Sequence, residues 1–319
     1  MIRSHGWTVR FKLGWSHLAL FLAAIVLAVT IIAKTAFRLG QGATEGVTAA
    51  AHSGAPTEVA FAPPAVSTIP KGHTGDSIRR GEAIFTHTRA TAAAFVGNGL
   101  ACSNCHLDAG RTANAAPMWA AWVNYPAYRE KNKRVNTMED RISDCFLYSM
   151  NAPASQSKRP PPAGDQIYRD LEMYFAWLAT GARSGSQMKG RGYLKLASTR
   201  LGYDPARGGS VFAAKCAACH GPHGEGKKSP DGSYAFPSLA GPASFNWGAG
   251  MTSVTTLAGF VKANMPLDQG YSLSDQDAWD VAAFVDSRVR PRDPRQTGSI
   301  EDARERYHAK GDYYGKTIK

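Results

Sequence analysis

Cysteine is scarce. The 319 residues hold five, and four of them fall in two short clusters, so Cys145 has no partner left and a disulfide framework is excluded. Acidic side chains are also few: 25 Asp and Glu stand against 37 Lys and Arg, for a formal charge of +12. Strand-period alternation is sparse as well, so the chain reads as mainly α. Long apolar runs are missing except over residues 13–33.

The two cysteine clusters share one signature, Cys102-Ser103-Asn104-Cys105-His106 and Cys216-Ala217-Ala218-Cys219-His220. In C-x-x-C-H the two thiols form thioethers with haem vinyl groups, and the adjacent imidazole becomes the first axial ligand of the iron. A redox dithiol or half of a zinc site would leave the histidine after each pair unexplained. Two covalently bound haem c groups are therefore expected, at Cys102, Cys105 and His106 and at Cys216, Cys219 and His220.

Covalent haem and a spare thiol fit an exported protein, and the N-terminus agrees. Arg3, Arg10 and Lys12 precede the uncharged run 13–33, about the twenty residues that cross a bilayer, with positive charge on the cytoplasmic side. The reading is an inner-membrane anchor with the remainder in the periplasm; a cleaved signal peptide competes with it. An exported protein seldom meets nucleic acid, so the basic excess points to a small anion, an acidic redox partner or lipid headgroups.

Along the chain, residues 1–38 are the cytoplasmic N-terminus and transmembrane helix, and 39–75 a Gly-, Ala- and Pro-rich flexible stalk. Two tandem cytochrome c-like domains follow at 76–181 and 208–290, each with a helix, a haem motif, a loop-rich middle and an amphipathic helix. Residues 182–207 read as a linker and 291–319 as a polar tail with one short helix near 300–308.

The second axial ligand decides between electron transfer and chemistry at the metal. In the second unit Met265, followed by Pro266, is favoured over Met251. In the first unit Met118, Met138, Met150, His73, His87 and Cys145 all compete. Thr137 to Asp140 reads as a helix start with a capping box. Continuing that helix puts Arg141, Cys145 and Ser149 at four-residue steps on one face. A thiolate on iron beside a guanidinium and a hydroxyl suits a sulfur-containing anion; an inert buried thiol is the plainer alternative.

These residues resemble the tetrathionate-forming thiosulfate dehydrogenases, dihaem cytochromes c, over residues 76–291. The resemblance lies in the stretch 97–107 around the first haem motif, Tyr125 to Arg129, Glu139 to Phe146, Ser149 to Asn151, Lys215 to Gly221, Phe245 to Met251 and Asn264-Met265-Pro266. It implies that His106 and Cys145 ligate the catalytic haem, and His220 and Met265 the electron-exit haem. It further implies that two thiosulfates join into tetrathionate with release of two electrons, in some members reversibly, to an acceptor cytochrome or respiratory complex. Certain members carry lysine before the methionine and exchange ligands with redox state; Asn264 stands there in this chain. Two dianions repel, and Arg141, with Arg129 and Lys131, would reduce that cost. A dihaem carrier without a substrate, or a haem-bearing sulfur transferase subunit, are the competing classes.

Overall fold

The computed structural model describes residues 58–119, 121–184, 187–308 and 312–316. Its longer helices are α1 (His73–Thr86), α2 (Met138–Asp144), α3 (Gln166–Leu178), α4 (Pro205–Lys215), α5 (Val254–Asn264), α6 (Asp275–Asp286) and α7 (Ile300–Tyr307). Among the described residues, strand structure is limited to three two-stranded ribbons. No described helix is long and apolar enough to cross a membrane; the expected anchor at 1–38 lies outside the described residues.

Each haem unit closes by crossing its first and last helices, α1 on α3 and α4 on α6. Helix α1 buries Ile78, Gly81, Ile84 and Phe85, and α3 buries Tyr168, Leu171, Tyr174, Phe175 and Leu178. This is the three-to-four-residue spacing of an apolar stripe. Full burial of a side chain such as Phe85 contributes about 2 kcal/mol.

The two crossings repeat one device. A Cβ on Gly81 would stand 2.0 Å from the Asp170 carbonyl oxygen, and one on Gly208 1.9 Å from that of Asp280. The residue before each glycine is an arginine that forks onto the same aspartate. Arg80 Nε and Nη2 donate to Asp170 at 3.0 and 2.9 Å, and Arg207 Nε and Nη2 to Asp280 at 2.7 and 2.8 Å. Burial opposes the charge on Asp170, but hydrogen bonds from Arg80, Ser77 and Gln166 hold its carboxyl below the usual range. Gly208→Ala should therefore push α4 off α6 and destabilise the protein by about 3 kcal/mol, read as a lower thermal midpoint by circular dichroism.

The two units are not separate beads. One contiguous core runs from Phe85, Phe146 and Tyr174 to Phe212, Ala258 and Val281, within a compact unit spanning residues 56–319. Several boundaries move accordingly. Helix α1 starts inside the expected stalk, whose end also packs through Ile69 and through Phe61 against Trp119. Helix α4 starts inside the expected linker, because Asp204 accepts the Ala206 and Arg207 N–H groups and Pro205 sits at the first helical position.

The rest of that linker is a packed strap. Gln187–Met188 pairs in parallel with Glu58–Val59. The Ala116 N–H donates to Gly192, Tyr193 meets Phe260 edge-on, and Trp279 Nε1 donates to the Ala197 carbonyl. The tail also folds back. Helix α7 is capped by Ser299, and His308 bridges Asp293 and Asp312 at 3.1 and 2.9 Å.

Candidate active site

Helix α2 opens with a reciprocal capping box. Thr137 Oγ1 accepts the Asp140 N–H at 3.1 Å, and Asp140 Oδ2 accepts the Thr137 N–H at 2.9 Å. After Asp144 the ladder widens into a π-turn over Cys145–Ser149, where the Met150 N–H reaches back to the Cys145 carbonyl at 2.9 Å. Carbonyls of the turn are claimed by two buried asparagines. Asn98 Nδ2 donates to Ser149 at 2.7 Å, Asn246 Nδ2 to Leu147 at 2.9 Å, and the Asn246 N–H to Tyr148 at 3.1 Å. Asn246 belongs to the second unit, so both units hold the turn that carries Cys145.

Cys145 and Arg141 line a cavity of about 90 Å³ together with Cys102, His106, Phe85, Met118, Tyr125 and Met138. Arg141 Nη1 donates to Cys145 Sγ at 3.0 Å. The charge of Cys145 raises Arg141 above the ordinary guanidinium value despite its burial. Opposite chemistry governs the haem-motif thiols: burial pushes Cys102 and Cys105 up to about 12. Burial, with the Arg141 charge as a smaller cause, brings His106 down to about 4.

Both C-x-x-C-H sites fit a covalently attached haem. His106 Nδ1 donates to the Ala116 carbonyl at 2.7 Å and His220 Nδ1 to the Pro237 carbonyl at 2.9 Å. A carbonyl only accepts, so each ring keeps its proton on Nδ1 and offers a bare Nε2. The four motif thiols are free of disulfides, and Cys102, Cys216 and Cys219 line apolar cavities. Among the described residues no three His, Cys, Asp or Glu side chains converge as a zinc site requires.

The second cavity, about 320 Å³, is lined by Cys216, Cys219, His220, Phe212, Phe260 and Met265. Met265 closes α5 as its C-cap residue, whereas Met251 is buried in the core and outside this lining. Ser103 and Asn104 of the first haem motif and Leu107 just after it also line it, so the two motifs share a wall. Asn264 is occupied structurally: its Nδ2 donates to the Phe260 carbonyl at 2.9 Å.

The expected site is otherwise trimmed. The wider pitch of the π-turn takes Ser149 off the Arg141–Cys145 face, and it is absent from the cavity lining. Arg129 ends the ribbon strand Ala127–Arg129, half-buried and also outside the lining. His73, His87 and Met150 do not line the cavity; Met118 and Met138 do. Sequence reasoning missed the roles of Asn98 and Asn246, although both lay within stretches that carried the resemblance.

Comparison with known proteins identifies both haem units. The SoxA/TsdA cytochrome c domain family matches residues 80–184, and the cytochrome c family residues 205–288. The chain is 42% identical over 304 residues to the thiosulfate dehydrogenase of Stutzerimonas stutzeri (strain A1501), covering 94% of each chain. It is 46% identical over 263 residues to that of Thiomonas intermedia (strain K12), covering 82% of each. The solved thiosulfate dehydrogenase TsdBA of Marichromatium purpuratum, in its as-isolated form, superposes with a TM-score of 0.77 at 49% identity. That match covers 80% of this chain and 55% of the other, so this chain spans little more than half of it.

Proposed function

We propose, for a chain that belongs to the thiosulfate dehydrogenase family and oxidises thiosulfate as a cytochrome c enzyme, that two thiosulfates are joined to tetrathionate at Cys145. The observation that carries this reading is the Arg141 guanidinium 3.0 Å from Cys145 Sγ, in the cavity that also holds His106. His106 and Cys145 would hold the haem of the first motif and His220 and Met265 that of the second, and each haem would supply a one-electron acceptor. A thiolate lowers and a thioether raises the potential, which directs electrons outward to an external cytochrome or respiratory complex.

The residues of the chain do the remaining work. Two thiosulfate dianions become one tetrathionate dianion: a bond forms between the two sulfane sulfurs, and each thiosulfate gives up one electron. Arg141 stabilises Cys145 as thiolate and pairs with sulfonate oxygens of the bound anion, reducing the repulsion between like charges. Phe85, Ile142, Leu171 and Phe175 wall the cavity against water, which strengthens those interactions. The same arrangement serves tetrathionate reduction when the driving force is reversed. A pure electron carrier has no use for a cysteine–arginine pair in a haem cavity. Residues 13–33, outside the described part, are read as an inner-membrane anchor that leaves the catalytic unit in the periplasm.

The test is steady-state oxidation of thiosulfate by the holoprotein with an artificial electron acceptor, with tetrathionate quantified. One tetrathionate per two electrons is expected. Arg141→Lys keeps the charge but loses the fork, and should lower kcat/KM by about 10- to 100-fold. Electron uptake without tetrathionate would contradict the proposed product.

A further inference from the structure

A third cavity, with charged side chains in its lining, lies in a place the catalytic reading does not use. It measures about 240 Å³ and is lined by Lys131, Trp247, Gly248, Arg295, His308 and Asp312, with the first turn of α5. Its members come from the first unit, the second unit and the tail that follows the cytochrome c match. A cavity of this size holds more than a single water.

Its charge balance is positive. Lys131 carries its ammonium over the Tyr148 ring at 3.9 Å and donates to the Gly248 carbonyl. Neither contact is with a carboxylate, and the negative charges that act on Lys131, those of Asp144 and Cys145, lie outside the lining of this cavity. The carboxylates nearby are already engaged: Asp293 takes Arg295 and His308, and Asp312 takes His308. Burial and the two nearby carboxylates act oppositely on His308, and the net shift is upward. Lys131, Arg295 and His308 therefore share the lining with one carboxylate, Asp312. The Val254 and Thr255 amides add the positive end of an eleven-residue helix.

Lys131 also belongs electrically to the active site. Burial is the largest cause of the fall of its ammonium to about 8; the charges of Arg295 and Arg141 also push it down, and those of Asp144 and Cys145 pull it up. Tyr148, whose ring it covers, stands three residues after Cys145 in the π-turn. Lys131 is thus linked to the Cys145 turn through the Tyr148 ring and through the charge of Cys145 itself.

Resting on the thiosulfate reading, we propose that this cavity is a waiting site for the second thiosulfate dianion, with Lys131 as its principal ligand. The chemistry requires two dianions to converge, and the Cys145 cavity offers one guanidinium for both. A separate cationic seat lets the second anion shed its water before it meets the first. The binding step involves no bond change; Lys131 and the α5 amides simply replace solvent around the sulfonate oxygens.

The test uses the holoenzyme in two ways. A selenate soak of its crystals should place an anomalous peak within hydrogen-bond reach of Lys131 Nζ, and Lys131→Met should abolish it. In steady state, Lys131→Met should raise the KM for thiosulfate about tenfold, the loss of one charge-assisted contact, and most of its effect should fall on KM. Lys131→Arg should recover most of that loss. As pH rises through about 8 the wild-type ammonium loses its proton, so KM should climb there, while Lys131→Arg stays flat. A wild-type KM in Lys131→Met with full haem content, or selenate bound only elsewhere, would overturn the waiting site and leave the enzyme reading intact. No oxidation of thiosulfate by the wild type would remove both.

Discussion

Cys145→Ala and Cys145→Gly are expected to retain both haems and lose turnover by on the order of 10³-fold or more. Haem attachment depends on Cys102, Cys105, Cys216 and Cys219, none of which belongs to α2 or to the π-turn. Removing Sγ deletes the one sulfur that Arg141 approaches at 3.0 Å, and leaves that guanidinium without its anionic partner. The loss should therefore appear in chemistry while folding is preserved. A haem-content assay alongside thiosulfate oxidation checks both halves. Turnover above about a tenth of wild type would show that the reacting sulfur needs no protein thiol. Met118 and Met138, which also face the cavity, cannot replace a thiolate, because a thioether carries no negative charge and forms no persulfide-like bond.

The second large effect concerns electron exit. Met265→Ala should lower the midpoint potential of the second haem by on the order of 0.2 V, a fraction of the ~0.8 V that axial ligands span. Met265 faces the His220 cavity from the C-terminal end of α5, while Met251 lies in the core with Phe245 and Val254. In a redox titration, the potential of the first haem should stay in place as that of the second falls. Overall turnover should slow in proportion to the weaker driving force. An unchanged titration would assign the sulfur ligand elsewhere, and Met251→Ala then becomes the discriminating variant.

Much of the fold was legible because it follows local rules. The haem motifs, the helix stripes and the Thr137–Asp140 cap are encoded within a few residues of one another, and each is present in the structure. The repeated Arg-Gly pair before each first helix crossing was also visible, at 80–81 and 207–208, and pointed to a close helix contact that the reading overlooked. What was not legible depends on distant partners. An uninterrupted α-helix predicts Ser149 beside Cys145; the π-turn that removes it is secured by Asn98, 51 residues away from Ser149, and by Asn246, 99 residues from Leu147. Composition misled at residues 182–207, where glycines with positive φ carry backbone hydrogen bonds to the first unit. Gly190 and Gly192, for example, supply carbonyls to Asn114 and Ala116 of the first unit. Polar composition hid the tail's role too, since its charges pair among themselves and with aromatic faces: Arg295 lies 4.4 Å from the centroid of the Tyr307 ring.

The direct measurement is low-temperature EPR of the oxidised holoprotein, compared with Cys145→Ala. Two low-spin haem signals are expected in the wild type, one with the compressed g-spread of thiolate ligation, and that signal alone should vanish in the variant. Identical spectra from the two proteins would contradict sulfur ligation by Cys145 and reduce the first haem to a conduit.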